Sequence, residues 1–127
     1  MDRDSGRRFL VGVVDDDESV RESLPDLLRE SGYAALAFAS AEELLNSGDL
    51  VGFGCLILDI AMPGMSGPEL QQELRRRGRA IPVVFITANG DETVRPRLMA
   101  QGAVACLFKP FSETSLLAAL SAAERVP

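Results

Sequence analysis

The sequence predicts a doubly wound α/β domain: a five-stranded parallel sheet, flavodoxin-like, with helices on both faces. Three observations predict it. Short apolar runs alternate with helix-like patterns from end to end, joined by connections of a few residues. The inner runs are continuously apolar, which suits strands covered on both faces. Four of the runs also close on polar residues: FLVGVV on Asp15 and Asp16, FGCLIL on Asp59, IPVVFI on Thr87, and VACLF on Lys109. If these strands are parallel, all five groups meet at one sheet edge, where open α/β folds place their ligand sites.

Residues 9–15 read as the first strand. Residues 17–31 then follow helical spacing, with Val20, Leu24, Leu27 and Leu28 on one face and Gly32 as the stop; Pro25 removes one hydrogen bond inside this helix. YAALAF at 33–38 is a second strand, followed by a short helix whose Ser40 and Glu43 have capping-box spacing. The third strand covers 53–59, and after the loop IAMPGMSG a helix opens on a second capping box, Ser66 and Glu69, and runs to about Arg77. IPVVFIT is the fourth strand, a weak helix follows near 93–101, and VACLF is the fifth strand. The last helix opens near Ser112 and turns Leu116, Leu117 and Leu120 inward.

Composition narrows the function. A chain of 127 residues fits one domain with a real core, expected to span 1–127 with its folded part at about 8–124. At 46% apolar and 25% charged it is ordinary globular material. A net charge of −6 disfavours nucleic-acid binding. The basic cluster Arg75, Arg76, Arg77 and Arg79 instead suits the negative end of a helix dipole. The two cysteines, Cys55 and Cys106, read as core hydrophobes on the third and fifth strands; two strand spacings of about 4.8 Å exceed the roughly 7 Å that a disulfide bridges. No apolar run has signal-peptide or membrane-spanning character, so the protein is expected to be cytoplasmic. Histidine is absent, which removes Ser-His-Asp, Cys-His and His-ligated metal chemistry and leaves carboxylates, a hydroxyl and an amine.

Three carboxylates at one edge repel one another unless positive charge sits among them. Lys109 supplies one charge, and a hard divalent cation such as magnesium, with manganese as its substitute, suits the remainder. A carboxylate can also attack phosphorus to give an acyl phosphate, and Asp59, alone on the middle strand, is the best candidate. Thr87, Lys109 and backbone N–H groups would then hold the phosphoryl oxygens. Each residue also has a plainer reading. Asp15 and Asp16 equally suit helix capping alongside Asp17 and Glu18, Thr87 a turn, and Lys109 a snorkelling surface amine. Glu92 and Asp91 read as helix-start residues, and Met62 and Met65 as packing. The joint placement of the five groups at four strand ends favours a site.

The segments VVDDDESVRESL, LILDIAMPGMSGPEL, VVFITANGD and LFKPF together resemble the receiver domain of bacterial two-component response regulators, most of all receivers of the LuxR-type group. The resemblance implies strand order 2-1-3-4-5, Asp59 as phosphoacceptor, Asp15 and Asp16 as the acidic pair, and Thr87 and Lys109 as switch and phosphate-binding residues. It also implies Mg²⁺ held by Asp16, Asp59 and the backbone carbonyl of Ala61, with Asp15 acting largely through water, and a cis Lys109–Pro110 bond. The implied donor is a sensor histidine kinase or a histidine phosphotransfer protein. Acetyl phosphate is expected to substitute, through self-catalysed phosphorylation, and in-line water to reset the switch past Ala61 and Asn89. The receiver is expected to act on a downstream partner or on a DNA-binding output domain outside this chain, without binding nucleic acid or membrane itself; similar proteins often form homodimers. The competing readings are a receiver-like scaffold that is never phosphorylated and a phosphohydrolase with an aspartyl nucleophile. The phosphohydrolase lacks its usual second carboxylate, because Ala61 stands two residues after Asp59. A mononucleotide-binding fold would need a Gly-rich strand-to-helix loop that this sequence does not supply.

Two positions depart from the family pattern. Cys106 stands three residues before Lys109, where many receivers carry an aromatic readout, and Phe108 is expected to face the other side of the strand. Pro96 falls inside the fourth helix, where it either sits in the first turn or delays the start, so this helix is expected to be short or mobile and the face it forms with the fifth strand and fifth helix to signal unusually.

Overall fold

In the computed structural model, which describes residues 9–48, 50–88 and 92–126, the apolar runs become strands β1 (Leu10–Val14), β2 (Ala34–Phe38), β3 (Cys55–Asp59), β4 (Val83–Thr87) and β5 (Ala105–Phe108). They pair in parallel in the order β2-β1-β3-β4-β5. Between them lie helices α1 (Glu18–Glu30), α2 (Ala41–Leu45), α3 (Gly67–Arg76), α4 (Val94–Ala100) and α5 (Glu113–Glu124), with a 3-10 turn at Leu50–Gly52. The expected fold class and strand order are those observed.

Alternation along the central strands splits the core in two. Val11, Val13, Cys55, Ile57, Val84 and Ile86 pack against α1 and α5 through Leu24, Leu28, Leu116 and Leu120. Val14, Leu56, Leu58, Val83 and Phe85 pack against α2, α3 and α4 through Leu44, Leu70, Leu74 and Leu98. Every residue of β3 and β4 is buried, which accounts for their unbroken apolar sequences. Each buried aliphatic or aromatic side chain among them contributes about 1.5–3 kcal/mol.

The helix ends follow the predicted chemistry. Asp17 caps α1 by accepting the N–H of Ser19, and Gly32, at φ 97°, carries the chain away after Ser31 in a conformation that a side chain would strain. Pro25 is buried within α1, and the helix continues through it. Ser66 and Glu69 form the full capping box that opens α3. At α2 the prediction is half right: Ser40 accepts the N–H of Glu43, but the Glu43 carboxylate reaches back to the N–H of Ala39 instead of Ser40. Pro96 is the third residue of α4, where its missing N–H costs no helical bond, and the helix has only seven residues. Cys55 and Cys106 are both buried and unbridged, with β4 between their strands.

Candidate functional site

Strand order reverses direction at β1 and β3, and that switch point opens the crevice in which an α/β sheet holds its ligand. The residues that end these two strands meet there. Carboxylate oxygens of Asp15, Asp16 and Asp59 all lie within 4.8 Å of one another. Asp15 is fully buried; its Oδ2 accepts from Lys109 Nζ at 3.0 Å and its Oδ1 from the N–H of Asp17 at 2.9 Å. Asp16 is exposed, and Asp59 is 7% exposed at the mouth of the crevice.

The surrounding backbone fixes these positions. Thr87, buried at the end of β4, accepts the Lys109 N–H on its carbonyl at 2.8 Å, which joins the ends of β4 and β5. The bond from Lys109 to Pro110 is cis, as the resemblance implies. Beyond Asp59, the N–H of Gly67 returns to the carbonyl of Ile60 at 3.1 Å, closing the intervening loop. A Cβ on Gly67 would overlap the carbonyl oxygen of Asp59, so only glycine permits α3 to start this close to the site.

Electrostatics set Asp59 apart. Burial and the neighbouring Asp15 charge push its pKa up to about 6, while Lys109 and an N–H bond from Ala61 pull it back. Burial works against the Lys109 charge, but its hydrogen bond to Asp15 and the charges of Asp15, Asp59 and Asp17 outweigh this and raise its pKa. Three clustered carboxylates with one ammonium are short of positive charge. An all-oxygen donor set on this scale fits a hard divalent cation, which takes carboxylates and keeps waters.

Residues 11–121 match the response regulator receiver domain. The chain belongs to that family. The receiver is 40% identical over 119 residues to the response regulator protein TodT of Pseudomonas putida, covering 94% of this chain and 52% of TodT. It is 43% identical over 120 residues to nodulation protein W of Bradyrhizobium diazoefficiens, covering 94% of this chain and 53% of that protein. The chain thus spans about half the length of the curated relatives it matches. Its fold is that of the crystal structure of FixJ-N, with TM-score 0.84, 37% identity, and coverage of 95% of this chain and 98% of that one. The protein is therefore a receiver of the response regulators, a signalling switch. No helix among the described residues is long and apolar enough to cross a membrane.

The receiver brings Asp15, Asp16, Asp59, Thr87 and Lys109 to one sheet edge, as the strand-end pattern predicts. Asn89 and Asp91 lie outside the described residues. Phe108 corrects an expectation. Residues two apart on a strand share a face, so Phe108 lies on the same side as Cys106, towards α4, and the Arg95 guanidinium sits 4.7 Å from its ring centre. Sequence reasoning also missed two arginines. Arg21 of α1 donates to the Asp15 carbonyl at 3.0 Å, and Arg95 of α4 donates to the Cys106 carbonyl at 3.1 Å. Arg21 lies within the segment VVDDDESVRESL and Arg95 in none of the family-like segments, and the only signal for either contact is a cation one turn from a strand-end loop.

Proposed function

We propose that this receiver accepts a phosphoryl group on Asp59 from a phosphohistidine of a sensor kinase or phosphotransfer protein, and that the modification changes its affinity for a partner. The observation that carries this reading is a buried, partly compensated carboxylate on the middle strand with two further carboxylates and one ammonium around it. One Asp59 oxygen attacks phosphorus in line, and the P–N bond breaks with its electron pair remaining on the donor imidazole. The nucleophile must be ionised, and an Asp59 pKa of about 6 leaves it mostly so at neutral pH.

Asp15, Asp16, Asp59 and the carbonyl of Ala61 would hold Mg²⁺, which when bound neutralises charge on the phosphoryl oxygens. Lys109 would leave Asp15 to pair with the phosphoryl group, and the Thr87 hydroxyl would hydrogen-bond it. The added charge, between one and two negative units, favours a second conformer of the loop after Thr87. Acetyl phosphate would serve as a small-molecule donor, because the attacking group belongs to the receiver. Water attacking phosphorus in line then breaks the bond to Asp59, releases inorganic phosphate and restores the carboxylate. Chain 1–127 would act as one cytoplasmic receiver unit upstream of a partner or output domain.

The assignment of the residue is testable by trapping. An aspartyl phosphate formed with acetyl phosphate and Mg²⁺ is reduced by borohydride to homoserine. Homoserine at position 59 supports the reading, whereas reduction at position 15 or 16, or at none, contradicts it.

A further inference from the structure

We infer that Arg95 is a positioning residue coupling the Asp59 site to the surface formed by α4 and β5. The inference rests on the phosphoacceptor reading of Asp59. Arg95 stands one turn beyond the segment that follows Thr87, and its side chain leaves α4 to reach β5. Three contacts hold it there: the guanidinium donates to the Cys106 carbonyl at 3.1 Å, lies over the Phe108 ring at 4.7 Å, and pairs with Glu92 at 3.6 Å. It also lies against the Cys106 thiol, whose pKa burial raises and the Arg95 charge lowers. Where an aromatic residue is replaced by Cys106, the planar group along this part of β5 is therefore a guanidinium, which stacks and donates hydrogen bonds together.

The far ends of these contacts connect to the site. Phe108 is the register partner of Thr87, and the next residue, Lys109, gives its N–H to the Thr87 carbonyl and its ammonium to Asp15. The Arg95 tie thus belongs to the conformer in which Lys109 holds Asp15. Drawing Thr87 towards a phosphoryl group on Asp59 shifts the end of β4 relative to the start of α4 and stretches the tie between Arg95 and β5. A contact made in one conformer alone opposes any ligand that favours the other, and the coupling is reciprocal. Phosphorylation releases Arg95 and uncovers Phe108 and Cys106; removal of Arg95 eases phosphorylation.

Beryllofluoride with Mg²⁺, a mimic of the phosphoryl group, tests this by titration calorimetry on the whole receiver. Arg95→Ala and Phe108→Leu are each expected to bind it about fivefold more tightly than the wild type, the size of one partly exposed cation–π contact. The double variant is expected to bind no more tightly than Arg95→Ala, because Arg95→Ala already removes the contact that Phe108→Leu removes. Arg95→Lys, which keeps the charge but not the planar fork, is expected to fall between. In the wild type, beryllofluoride is also expected to speed the reaction of Cys106 with a thiol reagent severalfold, with Cys55, fully buried, as the unreactive reference. A merely structural role predicts lower stability with unchanged or weaker affinity, and that result would overturn the inference. Wild type that binds no beryllofluoride overturns the phosphoacceptor reading and this inference with it. Wild type that binds normally beside an unaltered Arg95→Ala overturns the inference alone.

Discussion

Asp59 carries the largest electrostatic burden of any residue at the site. Its carboxylate is nearly buried beside Asp15, and the nearest ammonium is committed to Asp15. Asp59→Asn removes that unfavourable charge and keeps the shape, so the metal-free variant is expected to melt about 4 °C above the wild type; a lower melting temperature in a calorimetric scan would contradict this account. Tyr33 gives a second residue-level test. Burial and its 2.6 Å hydrogen bond to Glu124 raise its pKa to about 12. The folded value lies above the ordinary one near 10, so this contribution to stability is complete below pH 10 and is lost as pH rises through 12. As the chain has one tyrosine and no tryptophan, phenolate absorbance reports Tyr33 alone, and Glu124→Gln is expected to lower its midpoint. Legibility at this scale follows contact range. Asp59 and Lys109 were readable because each ends an apolar run; Arg95 and Arg21 were not, since what they touch is set by helix placement. Phe108 lies on the face opposite to the expected one, although strand periodicity alone places it beside Cys106.

At the scale of elements, the sequence is most informative where an interaction spans three or four residues. The Ser66–Glu69 box has both bonds within one turn, so spacing alone reveals it, whereas at α2 the glutamate found a different N–H one residue earlier. The strands expected from the sequence run one or two residues beyond all five observed ones, mostly at the N-terminal end, where the run begins before the first register-paired residue. The start of α3 links an element to the site. Gly67→Ala is expected to displace the Asp59 carbonyl, lower the melting temperature by several degrees and weaken Mg²⁺ binding; Ser66→Ala costs about 1 kcal/mol by loss of the cap alone. A Gly67→Ala variant with wild-type Mg²⁺ affinity, measured by thermal shift, would separate the loop from the metal site. Of the two placements the sequence allows Pro96, the helix adopts the first-turn one.

For the whole molecule, topology turns four separate sequence segments into one site. Parallel strands fix which end each polar group occupies, and the reversal of order at β1 and β3 provides the crevice. This is legible in the sequence because the β-then-α alternation leaves few topologies open. The charge deficit at that crevice predicts a global consequence. Mg²⁺ at about one hundred times its dissociation constant is expected to stabilise the wild type by about 2.7 kcal/mol and Asp59→Asn by much less. Equal stabilisation of both proteins would remove Asp59 from the metal site.

The central claim is tested most directly by intact mass after incubation with acetyl phosphate, comparing the wild type with and without Mg²⁺ and with Asp59→Asn. The account predicts a single phosphoryl adduct on the wild type that requires the metal and is absent from the variant. An adduct that persists in Asp59→Asn, or a wild type that takes up neither acetyl phosphate nor beryllofluoride, would contradict it.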